Sequence, residues 1–321
     1  MIKVSVVIPN FNGEKFLRIC LPSLVKQTYQ NFEVIIVDNG SIDDSVEYIN
    51  KNFPKFKIIK LQRNYGFAKA VNAGIKKSKG ELVFLLNNDT KVDKKCLKYL
   101  LESVKSHPEV GFIQAKIINF SNPQKIDSVG DLIDSVGHLY SRGFNQNVRK
   151  FTQAESIFLA SGSGVLIRKF LFSKIGFFDE DFFLYMEDAD FFLRAQIAGF
   201  TGWFEPEAKV YHHRMGTAKN NFEVETFKNL NLLILKNFPI RLILSDGNWL
   251  KIFLVHLNTL KYLVSKGYLW QTAKVEFYLI VNLGKTLKKR KWIQSTKKVS
   301  DQYTIDNIAK KKIKVGKLLS W

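Results

Sequence analysis

Five short clusters of polar side chains in this sequence have the types and spacing that phosphate, metal and proton chemistry require. Asn87-Asn88-Asp89 sets amide and carboxylate oxygens directly after the apolar run ELVFLL. A hard cation such as Mg²⁺ or Mn²⁺ takes few protein ligands and lets phosphate oxygens complete its shell, so one carboxylate with an amide oxygen suffices. Glu187-Asp188-Ala189-Asp190 places three carboxylates at a helix start. The positive helix end favours their ionised forms while mutual repulsion raises their proton affinity, which is the tuning a general base for a hydroxyl needs. An acidic N-terminal turn without chemistry has the same spelling. Asp38, followed by Asn39-Gly40-Ser41, offers a carboxylate to a base or ribose, or else a turn with Ser41 as helix N-cap. Arg63-Asn64-Tyr65-Gly66 can hold phosphate or base at a helix start, while Ala68, Ala70, Ala73 and Gly74 behind it permit close helix-to-sheet packing. His212 and His213 end a Val-Tyr strand and are followed by Arg214, Gly216 and Thr217. Neighbours on a strand point opposite ways, so one of the two histidines reaches a site.

These clusters need a scaffold that brings them to one rim. Residues 1–118 alternate β-branched runs (Lys3 to Ile8, Glu33 to Val37, Lys57 to Leu61, Glu81 to Leu86, Val110 to Ile117) with helical stretches (Glu14 to Gln27, Ile42 to Lys51, Phe67 to Lys77, Lys94 to Ser106). That order is the signature of an α/β fold, a mostly parallel Rossmann-like sheet flanked by helices. VSVVI, EVIIVD and ELVFLL are continuously apolar, as strands buried on both faces are. Such sheets bind ligands beyond the carboxyl ends of their strands, and each of the first four strands is followed by an Asn-, Gly- or Asp-rich turn. Residues 119–155 read as irregular with a hairpin. A strand at VLIR, a short helix from Lys169 to Ile175, a helix ending at Gly199, and strands Gly202 to Phe204 and Ala208 to Tyr211 follow. From Phe222 the expectation is long helices over Glu223 to Lys236, Trp249 to Val264 and Leu269 to Lys289.

Composition narrows the class. With 46% hydrophobic residues and 7 prolines among 321 residues, the chain is globular rather than disordered or fibrous. Its formal charge of +20 is uneven: residues 222–321 carry 19 Lys/Arg against 6 Asp/Glu, about +13 of the total. Cys20 and Cys96 are not in metal spacing, and the pair fits a reducing, cytoplasmic setting. MIKVSVVIPNFNG reads as a first core strand rather than a signal peptide, and no run of about eighteen apolar residues predicts a membrane span.

VSVVIPNFNG (4–13), VDNGSIDDS (37–45), RNYGFAKAVNAG (63–74), LLNNDT (85–90), SGSGVLIRKFLFSKIGFFDEDFFLYMEDADFFLRAQIAGF (161–200) and VYHHRMGT (210–217) stand in the order found in family 2 glycosyltransferases. The chain resembles that family, with its GT-A fold, and within it the rhamnosyltransferase-like branch, over about its first two thirds. The resemblance implies a catalytic domain over 1–221 and a helical basic region over 222–321. It implies Asp38 as base-binding acid with Pro9 and Asn12 beside it, and Arg63, Asn64 and Gly66 flanking the nucleotide. Asp89 matches the last acid of the metal-binding motif, with Asn87 where many members carry aspartate and Asn88 between. His212 matches the metal- or diphosphate-facing histidine and Asp188 the catalytic base. Glu187, Asp190, Gly162 and Trp203 are expected in supporting or acceptor-side roles. The implied reaction is a single displacement with inversion, aided by Mg²⁺ or Mn²⁺, from a UDP- or dTDP-linked sugar to a glycan or lipid-linked acceptor in cell-surface glycan synthesis.

The basic tail has two readings, an anionic membrane surface on the inner face of the cell membrane or a bundle packed on the protein or on a second subunit as a homodimer. Nucleic acid is not an expected partner, because no binding module accompanies the charge. A sugar nucleotidyltransferase would carry a glycine-rich phosphate loop near its start, and PNFNGEKF is poor in glycine. A non-catalytic nucleotide-sugar-binding scaffold remains the other alternative.

Overall fold

The computed structural model describes residues 3–214 and 222–308. Gly216, Thr217 and the lysines at 310–312 lie outside the described residues.

The apolar runs fold as expected, into a sheet buried on both faces. β1 (Val4–Asn10), β2 (Phe32–Asp38), β3 (Lys57–Lys60) and β4 (Leu82–Leu86) pair in parallel in the order β4-β1-β2-β3. Between them run α1 (Glu14–Val25), α2 (Ser45–Asn52) and α3 (Phe67–Lys77). α3 lies close against β1 and β2 because it presents small residues: a Cβ on Gly74 would stand 2.5 Å from a methyl of Val7. The sheet continues with β5 (Thr90–Val92), α4 (Cys96–Ser106) and β6 (Phe112–Asn119).

Residues 119–155 are more regular than their weak alternation predicted. β7 (Ile126–Ser128) adds antiparallel to β6, and β8 (Asp131–Ile133) with β9 (Leu139–Ser141) forms the hairpin. β10 (Glu155–Ile157), β11 (Gly164–Arg168), α5 (Phe170–Ile175), α6 (Glu187–Ile197) and β12 (Gly202–His212) follow. β11 runs antiparallel between β4 and β6, so the full order is β10-β12-β6-β11-β4-β1-β2-β3, with β5 on β12 and β7 on β6. β12 is one strand rather than two, its register shifting between Glu205 and Lys209 where Pro206 lacks an N–H. α2 starts three residues later than expected. Ser41 is not its cap: the Ser41 hydroxyl is bonded to the β1 loop, and Asp43 instead accepts the N–H and hydroxyl of Ser45.

The C-terminal helices are α7 (Phe222–Asn237), α8 (Ile240–Leu244), α9 (Asn248–Ser265), α10 (Leu269–Val281), α11 (Leu283–Ser295) and α12 (Asp301–Ile308). The single helix expected over 269–289 is interrupted at Asn282 alone, and i→i−4 bonds continue on both sides of it. Two compact units result. Among the described residues, one is formed by 3–131, 141–195 and 200–214, the other by 132–140, 196–199 and 222–308. The first is built on the sheet. The second packs Val224, Phe227, Leu263 and Val275 into its own small core. No described helix is long and apolar enough to cross a membrane.

Candidate active site

The carboxyl ends of β1 and β2 are laced together by short polar side chains. Asp38 closes β2 opposite Asn10, whose Nδ2 donates to Asp38 Oδ1 at 3.4 Å and to Ser41 Oγ at 3.3 Å. The Ser41 N–H donates to Asp38 Oδ2. Asn12, at φ +48°, donates its N–H to Ser41 Oγ and accepts from the Ile42 N–H. Asn39 reaches the next loop, donating to Asn64 Oδ1 and Gly66 O and accepting from the Tyr65 N–H. Pro9, Asn12, Asp38, Asn64 and Gly66 therefore share one rim. Arg63 is exposed at that rim, its guanidinium 5.1 Å from the Tyr65 ring centre.

Gly66 cannot be anything larger. Its φ is +86°, and a Cβ there would sit 2.2 Å from the Phe183 carbonyl oxygen. Gly66→Ala is expected to destabilise the protein by about 2–4 kcal/mol, read by urea denaturation. A loss within the scatter of a surface substitution would mean that the 66–183 contact is not held in solution.

At the end of β4 three consecutive polar residues go separate ways. Asn88 is buried and donates to Asn10 Oδ1 at 2.7 Å, which makes it part of the frame rather than a ligand-facing group. Asn87 turns toward His212, its Nδ2 3.5 Å from Nε2, and its buried Oδ1 has no hydrogen-bond partner. Asp89 Oδ1 lies 3.3 Å from the same Nε2. The pairing of β12 with β5, His212 opposite Thr90, brings the imidazole here. Burial opposes charge on His212, but hydrogen bonds to Asp127 and Asp89 outweigh it and push the pKa up to about 9. His213 points the other way, between the rings of Phe16 and Phe120, where burial lowers its pKa.

Asp127, on β7, is a residue the sequence did not single out. Its Oδ2 is 2.6 Å from His212 Nδ1, and its Oδ1 accepts from Arg214 at 2.8 Å. A carboxylate on Nδ1 leaves Nε2 facing Asn87 and Asp89, the arrangement by which an outer carboxylate orients a metal-binding imidazole. No group of three His, Cys, Asp or Glu among the described residues could hold a metal ion. Counting the amide changes the tally: Asp89 and the orphaned Asn87 Oδ1 are hard oxygen donors that fit Mg²⁺ or Mn²⁺, and His212 Nε2, a borderline donor, joins them only by giving up its proton.

Asp188 lies across the sheet end from these groups. β11 pairs Gly164 with Leu86, so Gly162, two residues earlier, extends past β4 beside the asparagines. The Gly162 N–H donates to Asp188 Oδ2 at 3.0 Å, and Oδ1 accepts from the Ala189 N–H at 2.8 Å. Burial raises the Asp188 pKa, and those two N–H groups pull it back only partly. Burial, then the neighbouring Asp188 charge, raises Glu187 well above the usual carboxylate range, and its Oε2 is buried without a hydrogen-bond partner. Asp131, also not singled out, accepts from Ser128 Oγ at 2.9 Å. Burial and the Asp188 charge push it to about 7, with Asp127 adding to the effect. Asp188, Asp131, Asp127, His212 and Asp89 thus form one connected electrostatic series.

Immediately before α6, Tyr185 and Met186 both hold positive φ, at +71° and +68°. Such conformations cost about 1–2 kcal/mol per residue and cluster where geometry serves function. Here they aim the start of α6 at Gly162. Two expected residues stand elsewhere. Asp190 is fully buried in an ion pair with Arg194 at 2.9 Å, and Arg194 also donates to the carbonyls of Ile175 and Phe177. Trp203 lies at the opposite end of β12 from His212, its ring centre 3.9 Å from that of His107 and tilted to it by 33°, because its place near the strand start points it into helix packing. It has no acceptor-side position.

The sequence model "Glycosyl transferase family 2" matches residues 5–176. The chain belongs to this family. The matched segment of this family 2 glycosyltransferase spans β1 through α5 and so contains the Asp38 rim, the Asn87–Asp89 turn and Gly162. Among curated relatives, an uncharacterized glycosyltransferase of Rickettsia prowazekii (strain Madrid E) is 32% identical over 60% of this chain and 58% of its own. Glycosyltransferase GlyG of Streptococcus pneumoniae serotype 4 (strain ATCC BAA-334 / TIGR4) is 35% identical over 32% of this chain and 35% of its own. The poly-beta-1,6-N-acetyl-D-glucosamine synthase of Staphylococcus aureus (strain COL) is 25% identical over 79% of this chain and 64% of its own. The chain therefore spans less than two thirds of the length of each of these relatives.

Of solved structures, GalNAc-T7 with UDP, GalNAc and Mn²⁺ superposes with a TM-score of 0.62 at 16% identity, over 81% of this chain and 51% of that one. S. aureus TarS 1-349 in complex with UDP gives 0.53 at 20% identity, over 80% and 72%. At such identities the likeness speaks to the fold, a GT-A arrangement.

Proposed function

We propose that this family 2 glycosyltransferase moves a hexosyl group from a pyrimidine nucleoside diphosphate to an acceptor hydroxyl with inversion at the anomeric carbon. The observation that carries this reading is the position of Asp188: a carboxylate with raised proton affinity, fixed by the Gly162 N–H, beyond the strand end that also bears Asp89 and His212.

In this mechanism the Asp38 rim binds the base and ribose, with Pro9, Asn12, Asn64 and Gly66 shaping the pocket and Arg63 at its mouth. Asn87, Asp89 and His212 would hold a divalent cation. When bound, that cation neutralises charge developing on the departing diphosphate. Asp188 accepts the proton of the acceptor hydroxyl as the oxygen forms its bond to the anomeric carbon and the bond to the diphosphate oxygen breaks on the opposite face. Glu187 beside it holds its own proton more tightly than an ordinary carboxylate, because burial and the Asp188 charge disfavour a second negative charge there.

The donor is proposed to be UDP- or dTDP-linked, with rhamnose among the sugars tested, and the acceptor a cell-surface glycan or its lipid-linked precursor. Complexes of GalNAc-T7 and TarS with UDP support a uridine donor by likeness of fold. Titration calorimetry with a panel of nucleoside diphosphates and their sugars, in Mn²⁺, Mg²⁺ or chelator, tests the reading. Metal-enhanced binding of a pyrimidine diphosphate is expected. Absence of binding by every member of the panel would overturn both the transfer reading and the nucleotide-sugar-binding scaffold, whereas binding without transfer would favour the scaffold.

A further inference from the structure

The second unit carries a helix that is apolar on both faces, only one of which is used inside the unit. On α10, Thr272, Val275 and Leu279 face inward, and Val275 and Leu279 pack on Phe227 and Leu263. The opposite stripe holds Trp270, Phe277, Ile280 and Val281, which are 77%, 69%, 71% and 62% exposed. Their spacing of seven, three and one residues keeps them within one side of the helix. A stripe of large apolar side chains normally lies in a core, and this one, with Gln271 and Lys274 beside it, is open to water.

What meets that stripe can be argued from the charges beside it. Lys274 flanks it, and Lys288 and Lys291 are exposed on the following helix, α11, which contains no acidic residue. Residues 222–308 carry 14 Lys/Arg against 6 Asp/Glu. A second copy docking face to face would bring the same lysines against themselves, since a two-fold interface pairs identical patches. An anionic lipid surface offers both halves of the complement: an acyl boundary for Trp270, Phe277 and Ile280, and phosphates for the lysines. We propose that the outer face of α10 and α11 is a docking surface for an anionic phospholipid membrane, lying in the interface plane.

The inference does not depend on the sugar-transfer chemistry and is tested without substrate. The full chain is floated with vesicles of phosphatidylcholine alone or mixed with phosphatidylglycerol, at low and high salt. Recovery with the mixed vesicles is expected, reduced by high salt and at least tenfold weaker for Trp270→Ser/Phe277→Ser. Lys274→Gln/Lys288→Gln/Lys291→Gln is expected to abolish the preference for phosphatidylglycerol, which keeps the test decisive if the aromatic variant fails to fold. No recovery with either vesicle, or recovery that neither set of substitutions changes, would overturn the proposal. So would a dimer in light scattering that Trp270→Ser/Phe277→Ser dissolves, because the stripe would then belong to a second copy.

Discussion

Asp188→Asn is expected to lower turnover by about 10²–10⁴-fold, the usual contribution of a positioned base, while nucleoside diphosphate binding stays within a few fold of the parent. The amide keeps one oxygen for the Ala189 N–H, and the change removes the acceptor for a proton without removing the side chain's bulk. The loss of a good acceptor for the Gly162 N–H costs about 1–3 kcal/mol of stability, which a thermal melt separates from the kinetic effect. The parent enzyme should also show activity rising with pH, with its limb above the ordinary carboxylate range, because burial holds the Asp188 proton more tightly. Near-normal turnover in the asparagine variant would remove Asp188 from the reaction.

Asp89→Ala carries the second large expectation: turnover down by roughly 10²–10³-fold, the scale of one lost electrostatic contact to developing charge. It should also lose the enhancement of nucleoside diphosphate binding by Mn²⁺. Asp127→Asn provides the graded control. It leaves the Asn87, Asp89 and His212 donors in place but weakens the hold on His212 Nδ1, and a 10–100-fold loss of metal affinity is the expected outcome. Calorimetry with and without chelator reads both variants. Equal metal response in the parent and Asp89→Ala would place the cation elsewhere.

The parts of this protein that were legible in its sequence are those where local and tertiary demands agree. β4 is apolar at every position, and β1 and β2 are apolar over Val6–Ile8 and Val34–Val37, because both faces are covered there, and their polar turns fall at one rim because the strands are parallel. β5, β7, β8, β9 and β10 are each three residues long, too short for an alternation to register; β5, β7 and β10 are created by pairing with longer neighbours, and β8 and β9 by pairing with each other. Asp127 and Asp131 were missed for the same reason. The place of Asp127 comes from β7 lying on β6 and β6 on β12, contacts separated by many residues in the chain, and Asp131, at the start of β8, is tied to β7 through Ser128. Trp203 misled in the opposite sense: strand residues were expected around it, but as a separate strand from 208–211, and the end of the continuous β12 that faces the site is the one bearing His212. Asn88 and Asp190 have the composition of site residues and are consumed by the framework, one by Asn10 and the other by Arg194.

The contact between Gly66 and Phe183 joins two loops with different tasks. The Phe67 N–H donates to the Phe183 carbonyl at 2.7 Å, so the loop at residues 63–66 and the segment leading through Tyr185 and Met186 to Asp188 are tied by a backbone hydrogen bond. If the two loops act as proposed, selectivity and speed are not independent dials in this enzyme. Re-engineering residues 63–66 to accept a different nucleotide would also displace the base, and variants chosen for a new donor would have to be rescreened for rate rather than for affinity alone.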